Sequence, residues 1–458
     1  MADQEDFAER FERLKGKECR VHDIEIKGYK RTRTSIIERE FKTVREAKTL
    51  DELKDTLLDA STKLSELDIF HSVDIFCDAG PEDLPGTTNL IVTVSEKDVH
   101  NITGGYYIQG SEQSVEGSVK LRNFFGSAET WELNAGFGNQ KSTAYTASFL
   151  QPRVFGGESQ VEMRAFKTEN SNEKSSSFVE GLTGFSTHFY SGDHELAYEW
   201  AWRLLSPTKL ASQSVRDQAG YSLKSALKYS YMLDARNNPY IPTRGYAFRF
   251  NTEVAGLGPG SSLERFVRSE LATSLAIPFT NTCGLNLSLQ GGVLHPWGNT
   301  TADSTCISER FFLGGPNSFR GFRTRGIGPS DARRAAKESA NEAPKELPKR
   351  DFLGGDLMMN ATAAFTFEFP HRLFQDMRAR GQAFVSAGNI MGVGMGISDT
   401  KKVANDFKSS FRVSAGVGVV MPSPLGRIEI NYCQVIRRNE TDRIRQGLQI
   451  GIFPIGSI

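Results

Sequence analysis

The chain has 458 residues, 38% of them hydrophobic and 24% charged, and its 55 basic side chains balance its 55 acidic ones. With no excess of Lys and Arg to follow a phosphate backbone, nucleic-acid binding is excluded as its organising function. No run of 18 apolar residues occurs, which excludes a transmembrane helix. It does not exclude membrane strands, which need only about 9–11 residues with every second one apolar.

The first 18 residues, MADQEDFAERFERLKGKE, are acidic and lack an apolar core. They read as neither a secretory signal nor an Arg-rich presequence, so residues 1–19 are expected to be a polar extension. A membrane barrel beginning this way would be made in a cytosol and inserted after synthesis.

Residues 20–98 read as one small domain of order β-α-α-β-β. Ile24 and Ile26 alternate with charges in a short strand that Gly28 closes. Ser35-Ile-Ile-Glu38 and Thr49-Leu-Asp-Glu52 have the spacing of capping boxes opening two helices. The second carries Leu53, Leu57, Leu64 and Leu67 on one face. Val73, Ile75 and Cys77 then alternate in one strand, and Leu90, Val92 and Val94 in another. An exposed edge of such a sheet can accept an extended peptide, although the unit serves equally well as a spacer or docking surface. His71 and His100 read as surface or boundary residues rather than ligands.

From residue 99 onward the period changes to two. Trp131, Leu133, Ala135 and Phe137 alternate with polar residues or glycine; so do Leu196 to Leu204, Tyr246 to Phe250, and Phe411 to Val419. Turn signals fall every ~20 residues, too far apart for a sandwich, and imply roughly 16 strands. Aromatic pairs such as Tyr106-Tyr107, Phe124-Phe125, Phe189-Tyr190 and Phe311-Phe312 are expected at the two interfacial girdles. Without water to satisfy a sheet edge in lipid, such an array must close. The fold class is therefore mainly β: a 16-stranded transmembrane β-barrel behind one small βααββ domain.

Cys19, Cys77, Cys283, Cys306 and Cys433 have no CxxC spacing and no paired histidines, so neither a disulfide framework nor a metal site is expected. GFGNQKST (136–143) lacks the glycine before Lys141 and a following helix, so it is no phosphate loop. No catalytic constellation has local support, and neither enzyme activity nor a cofactor is expected.

One segment differs from the rest. In RFFLGGPNSFRGFRTRGIGP (310–329), Gly314-Gly315-Pro316-Asn317-Ser318 forms a strong turn that presents Phe319, Arg320, Gly321 and Phe322. The pattern fits a loop tip folded back into a polar lumen, where the guanidinium pairs with a carboxylate between the aromatics. Alternation places Glu368 and Glu429 on polar strand faces, and both are candidates for that partner. A polar, charged stretch runs on to residue 351.

This segment resembles the signature loop of the outer-membrane assembly barrels, the family of the bacterial assembly barrel, the chloroplast import channel and the mitochondrial sorting-and-assembly core subunit. The family consensus places an aliphatic residue before Arg-Gly-Phe or Arg-Gly-Tyr; here Phe319 replaces it. The front unit resembles a single polypeptide-transport-associated (POTRA) domain. One such domain, with ERFFLGGPNSFRGF, GYSLKSAL, LDARNNPYIPTRG and RIEINYCQ, resembles the mitochondrial branch. The resemblance departs in one place. Bacterial members carry an Asp, the partner of the loop arginine, in a strand similar to AFVSAGN, where this chain has Ser386.

The resemblance implies an insertase of the mitochondrial outer membrane, a multi-pass barrel whose front domain faces the intermembrane space. Its implied partners are unfolded β-barrel precursors, metaxin-type accessory subunits and the lipid bilayer. Gly104 and Gly105 in the first barrel strand, and Gly447 and Gly451 in the last, are expected to weaken the closing seam into a lateral gate. Arg445, Gly447, Ile450 and Ile452 fit the polar-x-Gly-x-x-apolar-x-apolar pattern of a β-signal. The alternative is an outer-membrane translocation or solute channel of the same superfamily.

Overall fold

The computed structural model describes residues 16–109, 112–139, 142–260, 263–280, 282–298, 305–334, 350–393, 400–423 and 426–453. Most of the expected polar extension, and residues 335–349 of the charged stretch, lie outside them. The chain forms two compact units, residues 1–103 with 117–134 and 147–163, and residues 104–116 with 135–146 and 164–458. No described helix is long and apolar enough to cross a membrane.

The first unit contains β1 (Arg20–Lys27), α1 (Thr34–Glu40), α2 (Leu50–Glu66), β2 (Phe70–Ala79) and β3 (Thr87–Glu96). The sheet order is β1-β3-β2, with β1 parallel and β2 antiparallel to β3. Ile37, Phe41, Leu53 and Leu64 of the helical segment pack on Leu90, Val92 and Val94 of β3. Gly28, at φ +88°, has to be glycine, because a Cβ there would sit 2.2 Å from the Val94 carbonyl oxygen.

Thr49 caps α2 as expected, accepting from the Glu52 amide at 3.3 Å. The box at Ser35 does not form: α1 starts two residues earlier than that box requires, with Arg33 at its N-cap and no side-chain cap. The entry is held instead by Glu96, whose carboxylate accepts from the amides of Lys30, Arg31 and Thr32 and from the Thr32 hydroxyl at 2.6–3.2 Å. The same unit carries a buried ion pair, Arg153 Nε to Glu40 Oε1 at 3.0 Å, and Arg153 also donates to the Lys63 carbonyl. Arg153 sits in the left-handed region at φ +55°.

Sixteen strands form one sheet. In chain order they begin with β4 (His100–Gln109), β5 (Glu112–Arg122), β6 (Thr130–Gly138), β7 (Thr143–Gln151), β8 (Gln160–Ser171) and β9 (Phe178–Ser191). Then come β10 (His194–Pro207), β11 (Gly220–Asp234), β12 (Gly245–Ala255), β13 (Phe266–Pro278) and β14 (Cys283–Pro296). A two-stranded hairpin of β15 (Ser330–Ala332) and β16 (Arg350–Phe352) intervenes before β17 (Leu357–Glu368), β18 (Arg380–Met391), β19 (Arg412–Ser423), β20 (Gly426–Arg437) and β21 (Gly447–Phe453). Apart from the β15–β16 hairpin, each strand pairs with its neighbours in sequence, with β4 and β21 at the two ends of the order.

The sheet is apolar outside and polar inside. On β20, Glu429 and Asn431 are buried at 1% and 3% exposure, while Tyr432 is 61% exposed. Gln449 of β21 is buried between Leu448 and Ile450, which are exposed. On β10, Arg203 is buried and Trp202 is 55% exposed. A soluble protein would expel the polar face, so this inversion matches a wall with lipid outside and a polar lumen within. Tyr106, Phe124 and Phe125 are exposed, in keeping with a girdle, but Phe311-Phe312 is not part of one. Phe311 is buried against Gly292 with the Arg268 guanidinium 4.7 Å from its ring, and the Phe312 ring carries Arg325 at 4.4 Å. The polar lumen supplies cations that hold both rings, which periodicity alone does not reveal.

Candidate functional site

The segment 310–329 folds against the inner faces of β17 to β21. Gly314, Gly315 and Gly321 have φ of +117°, +109° and +91°, which lets the chain reverse tightly enough to bring Phe319, Arg320, Gly321 and Phe322 to one tip. Phe319 and Phe322 are fully buried with ring centroids 5.2 Å apart. A Cβ on Gly388 would lie 2.8 Å from the Phe319 ring, so that glycine makes the seat for it.

Arg320 reaches β20. Its Nε and Nη2 donate to the same oxygen of Glu429, Oε2, at 3.0 and 2.7 Å. The other oxygen, Oε1, faces Arg427 Nη2 at 3.0 Å. Gln382 and Asn431 also donate to Oε2, at 3.2 and 2.9 Å. The guanidinium carbon stands 4.8 Å from the Phe384 ring centroid and 5.7 Å from that of Phe453. A buried ion pair with its remaining hydrogen bonds filled in this way specifies one geometry more than it stabilises the fold.

The tip also grips the last strand. The Gly321 amide donates to Gln449 Oε1 at 3.0 Å, and Asn317 Nδ2 donates to the Ile452 carbonyl at 2.8 Å. Backbone bonds join Arg445 N to Gly321 O and Arg323 N to Arg443 O. A Cβ on Gly451 would lie 3.0 Å from Asn317 Oδ1 and 3.2 Å from Pro316 Cβ. Gly451 therefore clears space for the loop, a reason for glycine distinct from the strand weakening expected of it. Gly447 has nothing within 4 Å of a Cβ, and Gly104 only the Glu116 carbonyl at 3.9 Å. Gly105 lies on β4 beside Gly104, and Ile450 points outward at 59% exposure.

Of the two carboxylates read as candidates, Glu429 is the partner and Glu368 is not. Glu368 is exposed at the end of β17 and pairs with Arg380, directly opposite it on β18. Ser386 is fully buried and bonds the Thr362 hydroxyl at 2.9 Å. The carboxylate that the family resemblance places on β18 thus lies two strands away, on β20. A second buried charge cluster escaped the sequence reading: Arg203, Lys224 and Glu309, with Glu180, Glu253 and Glu264. Its signals were an arginine on the polar face of LAYEWAWRLL and the glutamate just before RFFLGG. Among the described residues, no group of His, Cys, Asp and Glu could hold a metal ion.

Residues 123–452 match the model of the Omp85 superfamily domain. The chain belongs to the Omp85 superfamily. Among curated relatives of this Omp85 chain, the sorting and assembly machinery component 50 homolog of Mus musculus is 30% identical over 96% of this chain and 90% of its own length. The SAM50-like protein of Schizosaccharomyces pombe is 29% identical over 94% of this chain and 89% of its own length. The fold is that of a solved Haemophilus ducreyi BamA lacking POTRA domains 1–3, with a TM-score of 0.75 at 18% identity, covering 95% of this chain and 85% of that one.

Proposed function

We propose that this Omp85 chain is a β-barrel insertase of the mitochondrial outer membrane, the core of a sorting and assembly machinery. The observation that carries the reading is the loop tip: Arg320 locked on Glu429 while the same turn holds β21 through Gln449 and the Ile452 carbonyl. The tip thus couples the lumenal lock to the strand that closes the barrel. Clients are unfolded β-barrel precursors, metaxin-type subunits are its accessory partners, and the POTRA-like front domain stands in the intermembrane space.

In this mechanism the seam between β4 and β21 opens as a lateral gate. An opened seam exposes two strand edges, and an edge is a template for a further strand. β21 pairs with β20 over only seven residues, Gly447 to Phe453, and Gly104 and Gly447 contribute no packing of their own. The incoming β-signal pairs at this seam and hairpins follow in order. Hydrogen bonding and lipid burial supply the energy, so neither a nucleotide nor catalytic chemistry is required. Depletion tests the reading: other outer-membrane barrels should fail to insert while helical membrane proteins are unaffected. Normal barrel insertion after depletion would overturn it.

A further inference from the structure

The signature loop is held at its base as well as at its tip. Glu309, with a side chain 5% exposed, receives Lys224 Nζ at 2.7 Å and the Arg203 guanidinium through Nη2. Those cations come from the walls of β10 and β11. From β20 the sheet order runs through β19, β18, β17, β14, β13, β12 and β11 to β10, eight steps and so half of the sixteen. Tip and base are therefore fastened to opposite walls.

The wall cations do not need Glu309 to be paired. Arg203 Nε already meets Glu180 at 2.9 Å and its Nη1 meets Glu264, while Lys224 meets Glu253 at 2.8 Å. A further carboxylate beside Glu180, Glu253, Glu264 and Glu199, the last 3.8 Å from Lys224, does not serve charge balance. Its effect is to fix the chain that carries it. Phe319 and Arg320 lie ten and eleven residues further on, and Phe311, between Glu309 and the tip, is packed on the wall.

We propose that Glu309, with Arg203 and Lys224, is a positioning anchor that sets where the Arg320 tip meets β21. The role in insertion rests on the insertase reading; the anchoring itself does not. The test compares the full chain carrying Pro316→Cys and Gly451→Cys, whose Cβ atoms would stand 3.2 Å apart, with and without Glu309→Gln; the crowding that a Cβ at Gly451 brings is common to both, and an oxidant closes the disulfide only when the tip is docked. Glu309→Gln keeps the shape and leaves each wall cation its own partners. It should slow the cross-link on the order of tenfold, the size expected for losing a charge-assisted hydrogen bond. Insertion of a client barrel, measured in the chain without the two reporter cysteines, should fall with it, and Glu309→Asp should recover part of both. Heat-shifted gel mobility confirms that each variant is a folded barrel. An unchanged cross-linking rate in Glu309→Gln overturns the anchor, and a slowed cross-link with full insertion overturns its role in the reaction. If even the parent chain inserts no client, the insertase reading fails while the cross-linking comparison still decides the anchor.

Discussion

Arg320 and Glu429 meet through a single oxygen: both guanidinium bonds go to Oε2, and Arg427 holds Oε1. Arg320→Ala therefore leaves Glu429 with one cation, whereas Glu429→Gln leaves two cations facing a neutral amide. Breaking a buried pair costs about 3–5 kcal/mol. Glu429→Gln should be the more damaging of the two in a thermal melt of the folded barrel. The double exchange Arg320→Glu with Glu429→Arg should not restore insertion, because the new cation would face Arg427. Full rescue would contradict this geometry.

Glu368→Gln is the contrasting case. Its partner Arg380 is a cross-strand neighbour at an exposed strand end, where an ion pair contributes about 0–1 kcal/mol. Barrel melting and client insertion should both stay close to wild type.

The two glutamates mark how far the sequence could be read. Strand number, the β-α-α-β-β order of the front unit and the residues of the loop tip all follow from local pattern, and each is present. Choosing between Glu368 and Glu429 is a matter of which strand faces the tip, set by contacts more than a hundred residues apart in sequence. Glu309 was illegible for the same reason: its partners lie on β10 and β11. Ser35 failed as a cap because Glu96, sixty residues later, organises that turn instead. Phe311 and Phe312 resembled girdle residues because alternation reports a period, while the face is decided by the loop that covers it.

Gly388→Ala should displace the tip, since the added methyl would meet both the Phe319 ring and the Met359 carbonyl at 2.8–3.0 Å. Overpacking of this kind costs about 1–3 kcal/mol. Shortening the ring with Phe319→Leu in the same background should recover part of the lost melting temperature. If the double variant is no better than Gly388→Ala alone, the ring is not what the glycine accommodates.

Acid should loosen the front domain through Glu96. Burial raises its pKa, but the hydrogen bonds from Thr32, Lys30 and Arg31 outweigh burial and lower it from 4.5 to about 2. A carboxyl depressed in the folded state stabilises at pH above its unfolded value, and that contribution fades as pH falls from about 4.5 towards about 2. The protection of the Lys30 to Thr32 amides from hydrogen exchange, relative to the intrinsic rate at each pH, should fall across that window. In Glu96→Gln that protection should be low already at neutral pH and change little across it.

The proposed lateral gate makes its own prediction. Thiol pairs scanned with Gly104→Cys or Gly105→Cys on β4 against Leu448→Cys to Ile452→Cys on β21 should include one that oxidises readily. That variant should lose client insertion under oxidant and regain it on reduction. A cross-linked barrel that still inserts clients would rule out lateral opening at this seam.

A loop tied by Glu309 to one wall and by Arg320 to the opposite one also bears on permeability. A strap so fixed crosses the bore and narrows it, and ion pairs hold it at both ends. In a planar bilayer the protein should conduct ions poorly, and current should rise when either end of the strap is cut loose.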